Sequence, residues 1–255
     1  MVTTDTVKEP LRAVGGFYAM CLDTLIAIPR RPFAWRELVV QTWFVARVSL
    51  VPTLMLVVPF TVLTVFIINI LLAEIGAADF SGSGAALGIV TQTGPVVTVL
   101  VVAGAAATAM CADLGARTIR EELDALRVMG IDPIQAFVVP RVIAATIVAL
   151  LLNGCVTIFG LTGGFLFSVF FQHVTPGAYV SGLTLLVGLP EVATATAKSA
   201  LFGMAAALIA CYKGISVGGG PQGVGNAVNE TVVFSFMALF LINVIATGVG
   251  VEVAK

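Results

Sequence analysis

Five apolar stretches, 48–73, 85–112, 137–171, 192–212 and 231–251, set the pattern of the chain. Three carry no charge, and the other two carry one each, Arg141 and Lys198. About 20 consecutive apolar residues cross the hydrocarbon core of a bilayer as a helix, so each stretch predicts a transmembrane span. The first contains Pro52 and Pro59, which membrane helices tolerate where neighbours satisfy the freed carbonyls. The second is rich in small residues around Ala103, Gly104 and Ala107, which lets helix backbones approach closely and predicts a central position. The third would be about 52 Å long as one helix. One tilted helix with an irregular outer end, broken near Gly160, Gly163 or Gly164, is preferred over a hairpin about Asn153 and Gly154, whose arms would barely span.

The segments between the spans predict further elements. From 17 to 47, apolar residues mix with Asp23, Arg30, Arg31, Arg36 and Glu37 beside Trp35 and Trp43. This blend suits a helix in the headgroup layer, over about 14–46, rather than a solvated arm; Pro29 and Pro32 divide it. Ser81 to Gly84 reads as a turn, and 174–190, with Pro176, Gly177 and Gly188, as a structured outer loop. At 117–130 the chain is charged but periodic. Thr118 with Glu121 forms a capping-box pattern, Ile119, Leu123, Leu126 and Met129 recur at helical spacing, and Gly130 with Pro133 supplies a stop. A short amphipathic helix follows. Glu121, Glu122 and Asp124 would repel an anionic leaflet, which favours docking to a protein over resting on lipid.

Arg30, Arg31, Arg36, Arg47, Arg117, Arg120, Arg127 and Lys213 fall on one side of this topology, and Glu74, Asp79 and Glu191 on the other. Positive residues stay inside, so the N-terminus and the short helix are expected in the cytoplasm, and Glu252 and Lys255 outside.

Composition agrees: 59% of the residues are hydrophobic and 11% charged, against about 25% charged in soluble domains. A net charge of −1 with no basic cluster longer than Arg30-Arg31 excludes a nucleic-acid partner. Cys21, Cys111, Cys155 and Cys211 stand singly and read as small hydrophobes. His173 has no ligating neighbour, so no metal site is expected. No removable signal peptide is evident, and no repeat of 20 to 50 residues divides the chain, so 1–255 reads as one membrane domain.

Several motifs together carry a resemblance: R-P-F-A-W-R-E-L-V-V-Q from Arg31, T-G-P-V-V from Thr93, E-E-L-D-A-L-R-V-M-G-I-D-P from Glu121, Pro140-Arg141, and G-G-G-P-Q-G-V-G-N-A from Gly218. With these the chain resembles the MlaE/YrbE permeases of Mce-type lipid ABC transporters, and looks most like an actinobacterial YrbE protein. The resemblance implies an all-α integral membrane fold with an N-terminal interfacial helix, five transmembrane helices, and a cytoplasmic coupling helix between the second and third spans. It also implies a cytoplasmic ABC ATPase dimer, a second related permease subunit, Mce substrate-binding proteins on the outer face, and a bacterial cytoplasmic-membrane location. ATP and Mg would be held by the ATPase, with no cofactor on this chain. Ala105 departs from the pattern, since many members carry arginine there. The Gly218 to Gly225 stretch lacks G-x-x-x-x-G-K-[ST] and no strand precedes it, so it reads as a cytoplasmic turn rather than a nucleotide site.

The expected function is a permease without chemistry of its own, moving fatty acids, sterols or related lipids, in the import direction. The ATPase-coupling residues would be Glu121, Glu122, Leu123, Asp124, Leu126, Arg127, Met129, Gly130, Asp132 and Pro133. Leu123, Leu126 and Met129 would fill a groove on the ATPase, and the three carboxylates would meet basic residues on its rim. Ala103, Ala107 and Lys198 are candidates for the lipid path. Lys198 reads as a lysine that snorkels to the interface or pairs with Glu191. A self-contained secondary transporter or an intramembrane enzyme is the alternative, and it lacks the several intramembrane ionisable groups such machinery needs.

Overall fold

In a computed structural model of the chain, describing residues 5–30, 33–77 and 80–253, the apolar stretches become five long helices. The elements are α1 (Asp5–Ala27), α2 (Trp35–Glu74), α3 (Ser81–Ile119), α4 (Glu122–Val128), α5 (Ile134–Gln172), α6 (Pro176–Gly182), α7 (Leu189–Ile215) and α8 (Gly220–Val253). The spanning helices are α2, α3, α5, α7 and α8, all long and apolar enough to cross a membrane. Arg31, Pro32, Asp79 and Lys255 lie outside the described residues, as does the side chain of Glu252.

The expected interfacial element at 14–46 is two things. α1 ends at Ala27, and Trp35 already begins the first spanning helix, which has 40 residues. At 1.5 Å per residue α2 is about 60 Å long, twice the hydrocarbon thickness, so its first turns continue beyond the apolar layer. Trp35 and Trp43 are exposed there, as aromatic residues at a membrane interface are. Leu38, Gln41, Val45, Ser49, Thr53, Val57, Thr61, Val65 and Asn69 form its buried face. That face alternates polar side chains with valines, most of them small, while Val39, Val51, Met55 and Val58 point outward. In lipid the apolar surface needs no protein partner, so small residues mark the packed side. The Thr53 hydroxyl donates to the Ser49 carbonyl at 2.7 Å, which satisfies it within the helix.

α3 is the most buried span, with 61% of its apolar window inside the molecule against 11% for α8. The small-residue argument for a central helix holds. Ser81 to Gly84 does not form the expected turn; these residues open α3. Gly82 is required there, because a Cβ would lie 1.9 Å from the Tyr179 carbonyl oxygen of α6. Two π-helical segments, Ile89–Thr93 and Val102–Ala106, interrupt α3. The first precedes Pro95, whose missing N–H breaks the regular ladder and whose ring crowds the preceding turn.

α5 is continuous through Asn153 and Gly154 to Gln172, so the single-helix reading holds and the irregular outer end does not occur. The segment 174–190 contains α6, whose Tyr179 is wholly buried against Phe165 and packs beside Gly164. Burial pushes the Tyr179 phenol up to about 12. The Gly218 to Ala227 stretch is not mainly a turn. Helix α8 begins at Gly220, so most of the stretch is helical.

Candidate functional site

One end of the bundle collects the charges that the sequence scattered along the chain. Asp113 and Arg117 lie one turn apart near the end of α3, with the Arg117 Nε 3.3 Å from the carboxylate. Arg141, in the first turn of the regular part of α5, is fully buried. Its guanidinium forms an ion pair with Asp113, approaches Glu37 of α2 at 3.7 Å, and donates to the Phe137 carbonyl at 3.0 Å. Glu37 also accepts from the Gln41 amide at 2.9 Å. The Phe137 ring lies under both cations, 5.3 Å from Arg141 and 5.0 Å from Arg117. One guanidinium thus ties three spans together. Arginine suits this role because its planar fork of five donors serves several acceptors at once.

The remaining spans close the same end. The Thr118 hydroxyl donates to the Leu114 carbonyl at 2.9 Å and to Gly214 of α7 at 3.0 Å. Lys213 of α7 pairs with Glu230 of α8 at 2.6 Å. Thr118 is therefore not the cap of the short helix, as its spacing to Glu121 predicts. It lies in the last turn of α3, which runs on to Ile119.

Between α3 and α4 the chain turns at Glu121, whose φ of 58° places it in the left-handed region. A non-glycine residue rarely adopts this conformation, which costs roughly 1–2 kcal/mol. Glu122, the first residue of α4, is tied back to Arg117 of α3 at 3.5 Å and to Arg120, the residue that follows α3, at 2.9 Å. Those two ion pairs hold α4 against the end of α3.

The far end of α4 stops as the sequence requires. Gly130, at φ 77°, donates to the Arg127 carbonyl at 3.0 Å, and Ile131 donates to Leu126 at 2.9 Å. These two bonds are the Schellman arrangement, in which glycine takes the left-handed position. Asp132 then caps α5. Its carboxylate accepts from the Ile134 N–H at 2.9 Å, and its carbonyl accepts from Ala136 at 3.0 Å, with Pro133 at the first helical position. The short helix therefore sits between two fixed corners.

The expected apolar stripe of α4 is divided. Leu123 is buried in the chain's own core and cannot fill a groove on another protein. Leu126 is half-buried. Met129 is exposed, and Val128, which lay outside the stripe, is 89% exposed, with Ile131 beside them. The carboxylates divide as well. Glu122 is engaged by α3, and Asp124 pairs with Arg127 of its own helix at 2.8 Å. Glu121 is exposed and makes no ion pair among the described residues. The outward tip of α4 is thus Val128, Met129 and Ile131, with Arg127 and Asp124 beside them.

The three lipid-path candidates do not meet. Ala103 and Ala107 are fully buried in the core, so they line no open path within this chain. Their small side chains are used for close helix packing. Gly104 between them is exposed and Ala105 half-exposed, since residues one and two positions on from Ala103 lie on another face of the helix. Lys198 neither snorkels nor pairs with Glu191. It is buried between α7 and α8, where its ammonium donates to the Thr247 hydroxyl at 2.8 Å. The Glu191 carboxylate instead accepts from the Gly188 N–H at 2.7 Å and closes the start of α7. Among the described residues, no group of three or more His, Cys, Asp or Glu side chains could hold a metal.

Sequence reading missed the trio of Glu37, Asp113 and Arg141. The available signal was their position: each stands at the same end of a different apolar stretch, where three isolated charges of opposite sign can meet.

Comparison with known proteins covers the five spans and the Asp113–Arg141 pair, with Glu37 just before the matched residues. Residues 38–249, from the first span to the end of the fifth, match the family described as Permease MlaE. A probable ABC transporter permease protein of Synechocystis is 33% identical over 168 residues, which are 66% of this chain and 64% of that relative. The chain thus spans just under two thirds of that protein's length. A probable ABC transporter permease protein of Rickettsia conorii is 29% identical over 246 residues, covering 92% of this chain and 91% of its own. The intermembrane phospholipid transport system permease protein MlaE of Haemophilus influenzae is 28% identical over 181 residues, 71% of this chain and 69% of the relative. With five spans, a short helix fixed between the second and third, and a family match across all of them, the chain belongs to the MlaE permease family.

Proposed function

We propose that this permease is the translocation subunit of an ATP-driven Mce-type lipid transporter in a bacterial cytoplasmic membrane, and that α4 is the element through which an ATPase moves it. The observation that carries the reading is the build of α4. Its tip is apolar and exposed, while both its ends are fixed, by the Glu122 ion pairs to α3 and by the Gly130 turn and Asp132 cap to α5. A force applied to Val128 and Met129 is transmitted to two spans without loss in a flexible joint, and Arg141 carries it to a third. ATP and Mg belong to the partner in this reading. The relative in Haemophilus is named for phospholipid transport, and for this chain we infer a lipid cargo, fatty acids, sterols or related molecules, moved inward. The actinobacterial origin and the Mce partners rest on the resemblance carried together by the motifs at Arg31, Thr93, Glu121, Pro140 and Gly218. With Ala103 and Ala107 buried, the lipid path would run along a surface shared with a second permease subunit.

Affinity purification in mild detergent tests this directly: a stoichiometric ABC ATPase should accompany the chain. Recovery of the chain alone, still active in lipid uptake, would instead favour a self-contained transporter, a reading to which the buried Lys198 lends support.

The same reading sets the orientation. Arg36, Arg117, Arg120, Arg127 and Lys213 gather at the α4 end, which the positive-inside rule makes cytoplasmic. A reporter fused after Lys255 should be active only outside the cytoplasm, as five spans require. Cytoplasmic activity of that fusion would overturn the orientation.

A further inference from the structure

At the charged end of the bundle, α1 packs against α5 and α7. Beneath it is a groove of about 310 Å³, walled by Val14, Phe17 and Tyr18 of α1, Ile209 and Tyr212 of α7, and Phe234 of α8. The walls are almost wholly apolar, and Phe17 meets Tyr212 edge to face at 5.5 Å. Small-molecule sites share this make-up of apolar and aromatic walls with few polar groups. The charged group here is Lys213, held at the groove by Glu230 at 2.6 Å and by the Phe234 ring at 4.5 Å.

Depth in the membrane follows from the sequence. Lys213 directly follows the uncharged stretch 199–212, and Glu230 directly precedes the uncharged stretch 231–250. The pair therefore stands where headgroups stand. Ile209 lies about 6 Å further into the apolar layer than Lys213 along its helix, so the groove runs from headgroup level toward the acyl chains. The outer face of α1, with Val14, Tyr18, Leu22, Leu25 and Ile26 exposed at helical spacing, is that of a helix lying in this layer.

We propose that this groove binds one zwitterionic aminophospholipid of the phosphatidylethanolamine class, with its acyl chain along the aromatic walls, its phosphate on Lys213 and its ammonium on Glu230. Charge complementarity selects the headgroup. A lone cation would favour an anionic lipid, but Lys213 is paired, and an anionic headgroup would set its phosphate against the Glu230 carboxylate. A zwitterion matches both signs. A primary ammonium also donates hydrogen bonds to Glu230, which the quaternary ammonium of phosphatidylcholine cannot do. The site rests on the membrane placement of the chain and not on its ATPase coupling.

The full chain, purified from nanodiscs containing equal amounts of phosphatidylethanolamine, phosphatidylcholine and phosphatidylglycerol, can be examined by native mass spectrometry. We expect one retained lipid per chain, with phosphatidylethanolamine enriched about tenfold over phosphatidylcholine, the factor for one charge-assisted hydrogen bond. Glu230→Gln, at an exposed position, should abolish that preference and raise phosphatidylglycerol. Lys213→Gln should lose the phosphate contact and lower retention of all three. Ala238→Trp, which fills the groove, should lower retention without changing the thermal midpoint. Retention indifferent to headgroup, or a preference that survives both Glu230→Gln and Lys213→Gln, would overturn the proposal. So would a groove found occupied by another protein chain with no lipid.

Discussion

Replacing Arg141 by alanine should cost the folded chain about 3 kcal/mol, read as a lower thermal midpoint in detergent and a smaller folded yield. Removing one partner of a buried ion pair costs about 3–5 kcal/mol, because the other charge stays behind unpaired. Here two carboxylates stay behind, Glu37 and Asp113. Both are partly exposed, and Asp113 keeps Arg117 at 3.3 Å, which places the expectation at the lower end. Arg141→Lys should recover part of the loss, since one ammonium restores the charge but cannot serve Asp113, Glu37 and the Phe137 carbonyl together. The triple change Arg141→Met, Asp113→Asn, Glu37→Gln should regain most of the stability, because no uncompensated charge is then buried. In transport assays that triple variant should still fail if the ion pairs carry motion between spans. A wild-type midpoint for Arg141→Ala would show that the buried guanidinium is not what joins α2, α3 and α5.

Val128→Asp should remove the ATPase from the purified complex while leaving the permease folded and inserted. The side chain is 89% exposed, so within the chain the change touches little. A carboxylate near a helix C-terminus costs less than about 1 kcal/mol. Buried in a partner's groove without a counter-charge, the same carboxylate is strongly unfavourable, by several kcal/mol. The two effects separate docking from folding. Leu123→Asp should behave oppositely and lose the fold itself, because Leu123 belongs to the permease core. Leu126, half-buried at the Schellman turn, should show both effects. If Val128→Asp keeps both its ATPase and its lipid uptake, α4 is not the coupling element.

These two sites also show where sequence reading succeeds. The stop at Gly130 and Pro133 was legible because it is local chemistry: the left-handed glycine and the ring-locked φ act within a few residues, whereas the Asp132 cap was not read from the sequence. The split of the α4 stripe was not legible. Leu123 and Met129 look alike by period, and only the neighbouring helix ends decide which of them is covered.

What the amino-acid sequence determined by itself was the number of membrane helices, the central place of the small-residue span, and the short helix between the second and third spans. Each follows from a rule that acts on a continuous segment: the length and apolarity needed to cross hydrocarbon, the close approach that small residues permit, and the turn residues that end a helix. Tertiary structure decided everything that depends on which segments become neighbours. Thr118 looked like a cap and became a bridge to Gly214. Lys198 looked free to reach the interface and is buried on Thr247. Ala103 and Ala107 looked like a cavity wall and became packing surface. Arg141 looked like a flanking charge and proved to be the buried cation joining three spans. In a bilayer both the lipid-facing and the protein-facing sides of a helix can be apolar, so hydropathy marks the spans without saying which face is covered, and the polar residues find their partners only when the helices are assembled.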